Sequence, residues 1–212
     1  MVNLSLIQQY THITDEKTCS SLANAAELVS FAPGAVIVPM NSIQDSLYLH
    51  HKGVVRSFYL NPNGKEITDL FVFHPGYPTV VPSPDKPAIE EVVAMTAVEL
   101  IRIPLRWLTE QSRRDSSYLP LYIHLYERGL IMHCRVKMAL RSYSATQRYI
   151  WFTQEFAPAL SCASGKQIAS FLGVSPETLS RIRNSAQVTP QIEPTAQNAS
   201  GESMKDIQEL FW

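Results

Sequence analysis

Residues 164–184, SGKQIASFLGVSPETLSRIRN, have the pattern of two short helices joined by a tight turn. Ser164 and Gln167 predict a capping box at the start of the first helix, and Ser175 predicts an N-cap for the second. Gly173 stands where the turn needs a positive φ. Helical spacing then leaves one polar face of the second helix in solvent. That face carries Glu177, Ser180, Arg181 and Asn184.

Two helices arranged in this way are typical of a helix-turn-helix, whose second helix enters the major groove of DNA. Arginine can bind guanine there, and glutamate can accept a hydrogen bond from cytosine. The pattern therefore predicts that this face of the second helix can enter a major groove. A purely structural helical hairpin is the alternative, because a capped helix pair around a glycine also occurs without DNA binding.

The charge distribution supports the DNA interpretation. The whole chain has 212 residues and a net charge of −1. Residues 141–190 nevertheless hold three more basic than acidic side chains, and residues 191–212 hold three more acidic than basic ones. The basic segment contains the helix-turn-helix, as phosphate contact requires. No apolar run reaches transmembrane length and the N-terminus does not resemble a signal peptide, so a cytoplasmic protein is expected.

Metal binding and catalysis are not expected. The cysteines are scattered without a CxxC pair, which favours free thiols over a zinc or iron–sulfur site; they are Cys19, Cys134 and Cys162. A metalloenzyme using His50, His51 and His74 is one alternative. Because His50 and His51 are adjacent in a predicted strand, their side chains point to opposite faces and cannot both reach one ion.

The segment from Pro33 to Ile103 is predicted to be a β sandwich or small barrel, because it consists of short runs of β-branched and aromatic residues between turn signals. An amphipathic helix is predicted before it, over residues 3–28, and the proline-rich residues 77–88 predict an irregular loop. Val54–Phe73 is a predicted hairpin with Asn63-Gly64 in its turn. The predicted strands are 35–38, 46–49, 54–60, 67–73, 91–95 and 98–103.

Residues 116–142 predict a long helix with two apolar faces, and hence two packing partners. The face expected to pair with a second copy of the chain holds Leu119, Ile123, Tyr126, Leu130, His133 and Leu140. The face expected to pack on its own β-domain holds Tyr122, Leu125, Met132, Val136 and Ala139. Burial of the whole helix in a single core is the alternative.

The rest of the C-terminal part divides into short units. A capping box at 144–147 predicts a helix through Phe156, followed by a linker over residues 157–163. The tail from Ala186 has a composition typical of a loose segment. Its last nine residues, Met204–Trp212, could form a docked helix with one apolar side.

A β-domain, a long helix and a helix-turn-helix in this order resemble the CRP/FNR family of bacterial transcription regulators, over roughly residues 10–184. The glycines at 34, 53, 64 and 76 resemble those of the family's β-roll. The E-x-x-S-R pattern of the FNR branch is present as Glu177, Ser180 and Arg181. The resemblance implies an α+β fold with four parts. A double-stranded β-helix like a cyclic-nucleotide-binding domain would span residues 1–112, followed by a dimerisation helix over 113–142. A reduced winged helix-turn-helix domain would then span 143–190, and an acidic tail 191–212.

The resemblance also implies a function. It suggests a homodimer that binds palindromic double-stranded DNA, regulates transcription, and has RNA polymerase as a further candidate partner. Base contacts would come from Glu177, Ser180 and Arg181 of the recognition helix. Phosphate contacts would come from Ser164, Lys166, Gln167, Thr178 and Arg183.

Three departures from the family pattern modify these expectations. The loop HPGYPTVVPSPDKPAIEEV has no Gly-Glu pair and no arginine, and Lys86 is its one lysine. A buried phosphate needs a charge-assisted donor such as arginine, so cyclic AMP is not expected and the effector is unidentified. Pro176 stands where many members have arginine. The segment SAQVTPQIEPTAQNAS has little strand character, which predicts a reduced wing.

Tyr77, Tyr122 and Tyr126 are the candidate lining of an effector pocket between the β-roll and the long helix. Simple filling of the core by these aromatic rings is the alternative. A further alternative for the whole chain is a sensor or interaction module that has lost DNA binding.

Overall fold

A computed structural model describes residues 2–79 and 86–188, with side chains described through Ser185. The helices are α1 (Leu4–Thr11), α2 (Glu16–Ala25), α3 (Leu105–Arg114), α4 (Leu119–Ser142), α5 (Ala145–Glu155), α6 (Ala157–Leu160), α7 (Gly165–Phe171) and α8 (Pro176–Val188). The strands are β1 (Glu27–Phe31), β2 (Val36–Val38), β3 (Ser46–Lys52), β4 (Val55–Leu60), β5 (Glu66–Val72), β6 (Glu91–Ala94) and β7 (Val98–Pro104).

The strands form two antiparallel sheets with the orders β1-β7-β3 and β2-β6-β4-β5. The predicted hairpin is β4–β5, and Gly64 in its turn has a φ of 74°. The Asn61 side-chain oxygen accepts hydrogen bonds from the backbone N–H groups of Asn63 and Lys65, both at 3.0 Å. The predicted combination of a β-roll, a long helix and a helix-turn-helix is confirmed. The six predicted strands all form, with small shifts at their ends.

The helical prediction for residues 3–28 is confirmed over two separate helices, and its last residues form a strand instead. His12 adopts a left-handed conformation with φ 55° and ends α1. Asp15 then caps α2 by accepting a hydrogen bond from the Thr18 N–H at 2.7 Å. Residues 27–31 form β1, which pairs with β7. Amphipathic spacing continued across the break, and the Asp15 cap was the local signal that marked it.

Two elements between the β-roll and the long helix were missed. α3 follows β7 directly, and a short 3₁₀ turn at Ser116–Tyr118 leads into α4. The predicted helix over 116–142 is therefore confirmed from Leu119 onward. The predicted linker over residues 157–163 contains the short helix α6.

The long helix α4 has one buried and one exposed apolar face. Leu121 and Leu125 pack in a cluster with α1, α2, β3, β7 and α3. Met132, Val136 and Ala139 pack in a second cluster with the other β-strands and α5–α8. On the opposite side, large apolar residues are exposed to about half or more of their surface: Leu119, Ile123, Tyr126, Leu130 and Met138.

The second cluster runs without interruption from the β-roll into the helix-turn-helix. At its centre, Phe71 of β5 contacts Phe171 of α7 with ring centroids 5.5 Å apart. Phe152 and Phe156 stack on each other at 5.5 Å and both contact Phe171. Trp151 completes the group with its ring nearly parallel to that of Phe171. The helix-turn-helix is therefore held against the β-roll by an aromatic core.

Among the described residues, no helix has both the length and the apolar composition needed to cross a membrane. α8 runs to Val188 and so includes the first residues of the segment expected to form a reduced wing and a loose tail. The rest of that segment, the acidic tail, the candidate helix Met204–Trp212 and the centre of the 77–88 loop lie outside the described residues.

Candidate DNA-reading surface and ligand cavity

The two helices of the helix-turn-helix begin and end as their sequence predicts. The Ser164 hydroxyl accepts from the Gln167 N–H at 3.3 Å, and the Gln167 side chain accepts from the Ser164 N–H at 2.8 Å. Gly173 has a φ of 65° in the turn. The Ser175 hydroxyl accepts from the Thr178 N–H at 3.2 Å. The capping box, the turn glycine and the second N-cap are thus all confirmed.

The face of α8 predicted to contact bases is in solvent. Glu177, Ser180 and Arg181 are exposed, as is Asn184, whereas Leu179 and Ile182 on the other side are buried. Hydrogen bonds from its own backbone N–H and from Ser175 lower the pKa of Glu177, so this carboxylate is ionised at neutral pH. The Arg181 guanidinium lies 3.4 Å from the Thr178 hydroxyl, which is a weak contact that leaves it free to turn.

The candidate phosphate-binding residues differ in how available they are. Ser164 and Lys166 are exposed at the start of α7, and Gln167 and Thr178 are half-buried. The acceptor atoms of Ser164 and Gln167 are used by the capping box. Arg183 is half-buried, with its guanidinium 5.7 Å from the centre of the Tyr149 ring. Lys166 is therefore the most accessible cation of the set.

Arg148 is one of the basic side chains in residues 141–190, and its guanidinium forms hydrogen bonds within the protein. Its Nε donates to the Tyr143 carbonyl at 3.0 Å, and its Nη1 donates to the Leu172 carbonyl at 2.8 Å. These carbonyls lie at the C-terminal ends of α4 and α7, where backbone acceptors lack helical partners. Arg148 thus joins the long helix to the helix-turn-helix, a role that its charge alone did not indicate.

A polar contact, also absent from the sequence prediction, attaches α7 to the edge strand β5. The Thr68 N–H donates to the Ser170 hydroxyl at 2.9 Å, and this hydroxyl points to the Glu66 carbonyl at 3.4 Å. Behind it, the buried Arg56 donates to the Thr68 hydroxyl and to the Glu66 carboxylate, each at 2.9 Å. Ser170 thereby satisfies an edge-strand N–H that would otherwise lack a partner in the sheet.

A cavity of about 400 Å³ lies between the β-roll and α4. Its walls include Phe71 and Val72 of β5, Met132 of α4, and residues on both sides of the proline-rich loop. Of the three tyrosines proposed as its lining, the structure places Tyr77 at the cavity, with Arg128 stacked on its ring at 4.9 Å. Tyr122 packs instead against the other hydrophobic cluster, and Tyr126 is exposed on α4.

Several polar groups that were not predicted to line this cavity converge on it. Asp69 lies on β5, Glu90 precedes β6, and His133 comes from α4. The His133 Nδ1 is 3.8 Å from the Asp69 Oδ2. His133 was assigned to the dimer face, and the structure shows that it also lines the cavity. No local pattern joins these residues, because they come from three separate elements.

The Glu90 carboxyl is held in a setting that disfavours its charge. Burial, and then the neighbouring Asp69 carboxylate, raise its pKa to about 7. In the unfolded chain the same group loses its proton at a lower pH. Between the two pKa values the folded state therefore holds a proton that the unfolded state has released, and this contribution to stability falls as the pH rises.

We expect Glu90→Gln to become more stable relative to the unmodified protein as the pH rises from about 5 to 8. Thermal melts of both proteins across this range measure the difference, in which the contributions of the histidines cancel. Glu91→Gln is the matched control, because Glu91 is the next residue and does not line the cavity. A constant difference between Glu90→Gln and the unmodified protein across this range would contradict the prediction.

Two of the three histidines of the alternative metal site have partners within the protein. His50 is buried, with its Nε2 3.0 Å from the Gly53 carbonyl, and burial lowers its pKa to about 4. His51 is instead 2.9 Å from the Tyr10 hydroxyl. Within the described residues, no group of three possible ligands could hold a metal ion. Cys19 is buried and Cys134 and Cys162 are half-buried, all as free thiols.

No protein-family model matches this sequence. No curated protein matches it either. The likeness is found among solved structures. A protein from Eubacterium rectale, assigned to the CRP/FNR family of transcriptional regulators, is 16% identical with a TM-score of 0.67, and the match covers 92% of this chain and 94% of that one. FixK2 from Bradyrhizobium japonicum is 17% identical with a TM-score of 0.63, covering 88% and 98%.

A third similar structure is CLP of Xanthomonas campestris, described as a c-di-GMP-responsive global regulator. It is 15% identical with a TM-score of 0.60, and the match covers 82% of this chain and 92% of that one. At such identities a structural likeness establishes the fold. The chain has the fold of CRP/FNR-family transcription regulators: a β-roll of the cyclic-nucleotide-binding type, a long central helix and a helix-turn-helix.

Proposed function

We propose that this chain is a bacterial transcription regulator of the CRP/FNR type, which binds palindromic DNA as a homodimer and whose cavity holds an effector. The observation that carries the proposal is the exposed face of α8. Glu177 and Arg181 project there from a helix whose other side is fixed in the core by Leu179 and Ile182. A helix fixed on one side and carrying exposed polar side chains on the other meets the requirements for reading base edges.

The charges around this face support phosphate binding. We assign the phosphate contacts to Lys166 at the start of α7, helped by Ser164, Gln167 and Thr178. Arg183 would contribute if its side chain left the ring of Tyr149. A protein of this function acts in the cytoplasm, with DNA, a second copy of itself and RNA polymerase as partners.

The test of DNA binding is selection from random duplexes by the full chain, followed by mobility shifts at several salt concentrations. We expect an enriched palindrome whose half-sites lie about one helical turn apart. Affinity should fall steeply with salt, as it does when lysine and arginine displace counterions from phosphates. If no sequence were enriched even at low salt, an interaction module without DNA binding would be the better description.

The exposed stripe on α4 supports the homodimer. Leu119, Ile123, Tyr126 and Leu130 all project from the same side of the helix as large apolar residues in solvent. Such patches on a protein surface mark association sites. Leu140 is half-buried against the intramolecular core, so we place the centre of the interface toward the N-terminal half of α4.

We expect Leu130→Glu to shift the chain from dimer to monomer in sedimentation measurements, because a buried unpaired carboxylate strongly disfavours an apolar interface. Leu130 is 66% exposed within one chain, so the fold of the monomer should be preserved. Leu60→Glu makes the same change at an exposed position of the β4–β5 hairpin and should leave the dimer intact. Equal dimer dissociation constants for Leu130→Glu and the unmodified chain would place the interface elsewhere.

A further inference from the structure

The polar atoms that face the cavity without partners are hydrogen-bond acceptors. The Gln44 side-chain oxygen is buried in a residue only 8% exposed, and no donor among the described residues reaches it. The Asp69 Oδ2 is likewise buried without a fixed donor among the described residues, since the neighbouring Glu90 carboxyl can donate to Asp69 only while it keeps its proton. Both residues line the cavity. Because buried acceptors normally find donors in the protein, in ordered water or in a ligand, these two atoms are suited to a bound molecule that supplies donors.

The charged groups of the cavity also favour a positively charged donor. Asp69 and Glu90 bring two carboxyl groups to it, and mutual repulsion together with burial disfavours two negative charges. Among the described lining residues, Lys86 is the one permanent cation, and it is exposed to water, which screens its charge.

The histidines at the cavity offset the carboxyls only in part. Burial and then the charge of Arg135 lower the pKa of His74, so His74 is neutral at pH 7. His133 lies 3.8 Å from Asp69, close enough for an ion pair when its ring is protonated but beyond hydrogen-bond distance. Arg128 stacks on Tyr77 and donates to the Pro75 carbonyl at 3.2 Å. A compact cation inside the cavity would allow both carboxyls to be ionised side by side.

Most of the remaining lining is apolar, apart from the hydroxyl groups of Ser57 and Thr79. Phe71, Val72, Met132 and Ala88 form much of the wall. A volume of about 400 Å³ is suited to a small organic molecule rather than to a bare ion. The occupant would thus combine an apolar body with a group rich in hydrogen-bond donors.

We propose that the cavity binds a small molecule with an ammonium or amidinium group on an apolar body, whose donors contact Asp69 and Gln44. The proposal rests on the cavity's role as the effector site in the function proposed above. The ligand it assigns is positively charged, whereas a nucleotide phosphate is negatively charged. This agrees with the absence of arginine from the described lining. Binding of the cation would also release the proton shared by the two carboxyls, so affinity should rise with pH.

The first experiment compares probes of one shape and different charge on the full chain. The probes are 4-phenylbutylamine, 4-phenylbutanol and 4-phenylbutyrate, with benzamidine and butylamine as smaller cations and cyclic AMP as an anion. We expect at least one of the three cations to raise the melting temperature and to bind measurably by calorimetry, more tightly at pH 8 than at pH 6. Tighter binding of 4-phenylbutyrate or cyclic AMP would overturn the proposal, as would the failure of all three cations at millimolar concentration.

The second experiment tests the residues. Asp69→Asn removes the charge at nearly constant volume and should weaken binding of the amine at least tenfold, while Asp45→Asn, an exposed change outside the cavity, should not. Gln44→Leu gives a second variant that acts through a different atom. Unchanged amine affinity in both cavity variants would overturn the assignment.

These binding measurements do not involve DNA, so the two proposals can fail separately. Amine binding without DNA selection would leave the cavity assignment standing and remove the regulator. DNA selection without amine binding would do the reverse.

Discussion

Replacing Arg181 by alanine is expected to weaken binding to the selected DNA site by roughly 10- to 100-fold, while binding to random DNA changes little. The reason is geometric. The Arg181 guanidinium is exposed and has one weak contact to Thr178, so it can form two hydrogen bonds to a guanine without breaking a strong internal bond. Competition mobility shifts with the selected site and a scrambled duplex measure both affinities.

Lys166→Ala is the matched control for this prediction. It removes one exposed positive charge from the same surface, and it should weaken specific and random DNA together and reduce the salt dependence by about one counterion. Glu177→Ala should relax the preference at a second base pair. Retention of full specificity after the joint replacement of Glu177 and Arg181 would contradict the assignment of α8 as the reading helix.

The parts of the fold that could be predicted from sequence are those fixed by local chemistry. The strand pattern has a period of two residues, and its turns are marked by glycine, proline and asparagine, so the hairpin around Gly64 was predictable. The helix-turn-helix was predictable for the same reason, since Ser164, Gln167, Gly173 and Ser175 act within their own segment.

The division of the N-terminal helix and the strand β1 show where local pattern was insufficient. Amphipathic spacing continues through His12 and Asp15, although the backbone turns there. Residues 27–31 form a strand because β7 supplies their hydrogen-bond partners, which a single segment does not reveal. Strand formation depends on such partners more than helix formation does.

The polar lining of the cavity was beyond prediction for a related reason. Asp69, Glu90 and His133 look like ordinary surface residues in their own segments, and only the packing of α4 over β5 brings them together. The tyrosines were easier to single out because aromatic residues are conspicuous. One of the three, Tyr77, lines the cavity, whereas Tyr122 packs against the other hydrophobic cluster and Tyr126 is exposed.

The aromatic core around Phe171 predicts a large loss of stability when this ring is removed. Phe171 is 2% exposed, and its ring contacts Phe71, Phe152 and Phe156 at centroid distances of 5.0 to 5.5 Å. We expect Phe171→Ala to lower the free energy of unfolding by about 3–5 kcal/mol, because the lost contacts and the cavity left behind both destabilise the core. Urea denaturation followed by circular dichroism measures this change.

The same substitution should also loosen the attachment of α7 to the β-roll. Trp151 stacks on Phe171, so its fluorescence should move toward the emission of a water-exposed indole in the folded variant. Phe171→Leu fills most of the space and should lose far less stability, whereas Tyr59→Ala, at an exposed position on β4, should lose almost none. A loss below about 1 kcal/mol in Phe171→Ala, a typical value for substitutions in general, would show that α7 is not held by this core. In that case the two halves of the chain would have to be connected mainly through Arg148 and the Ser170–Thr68 contact.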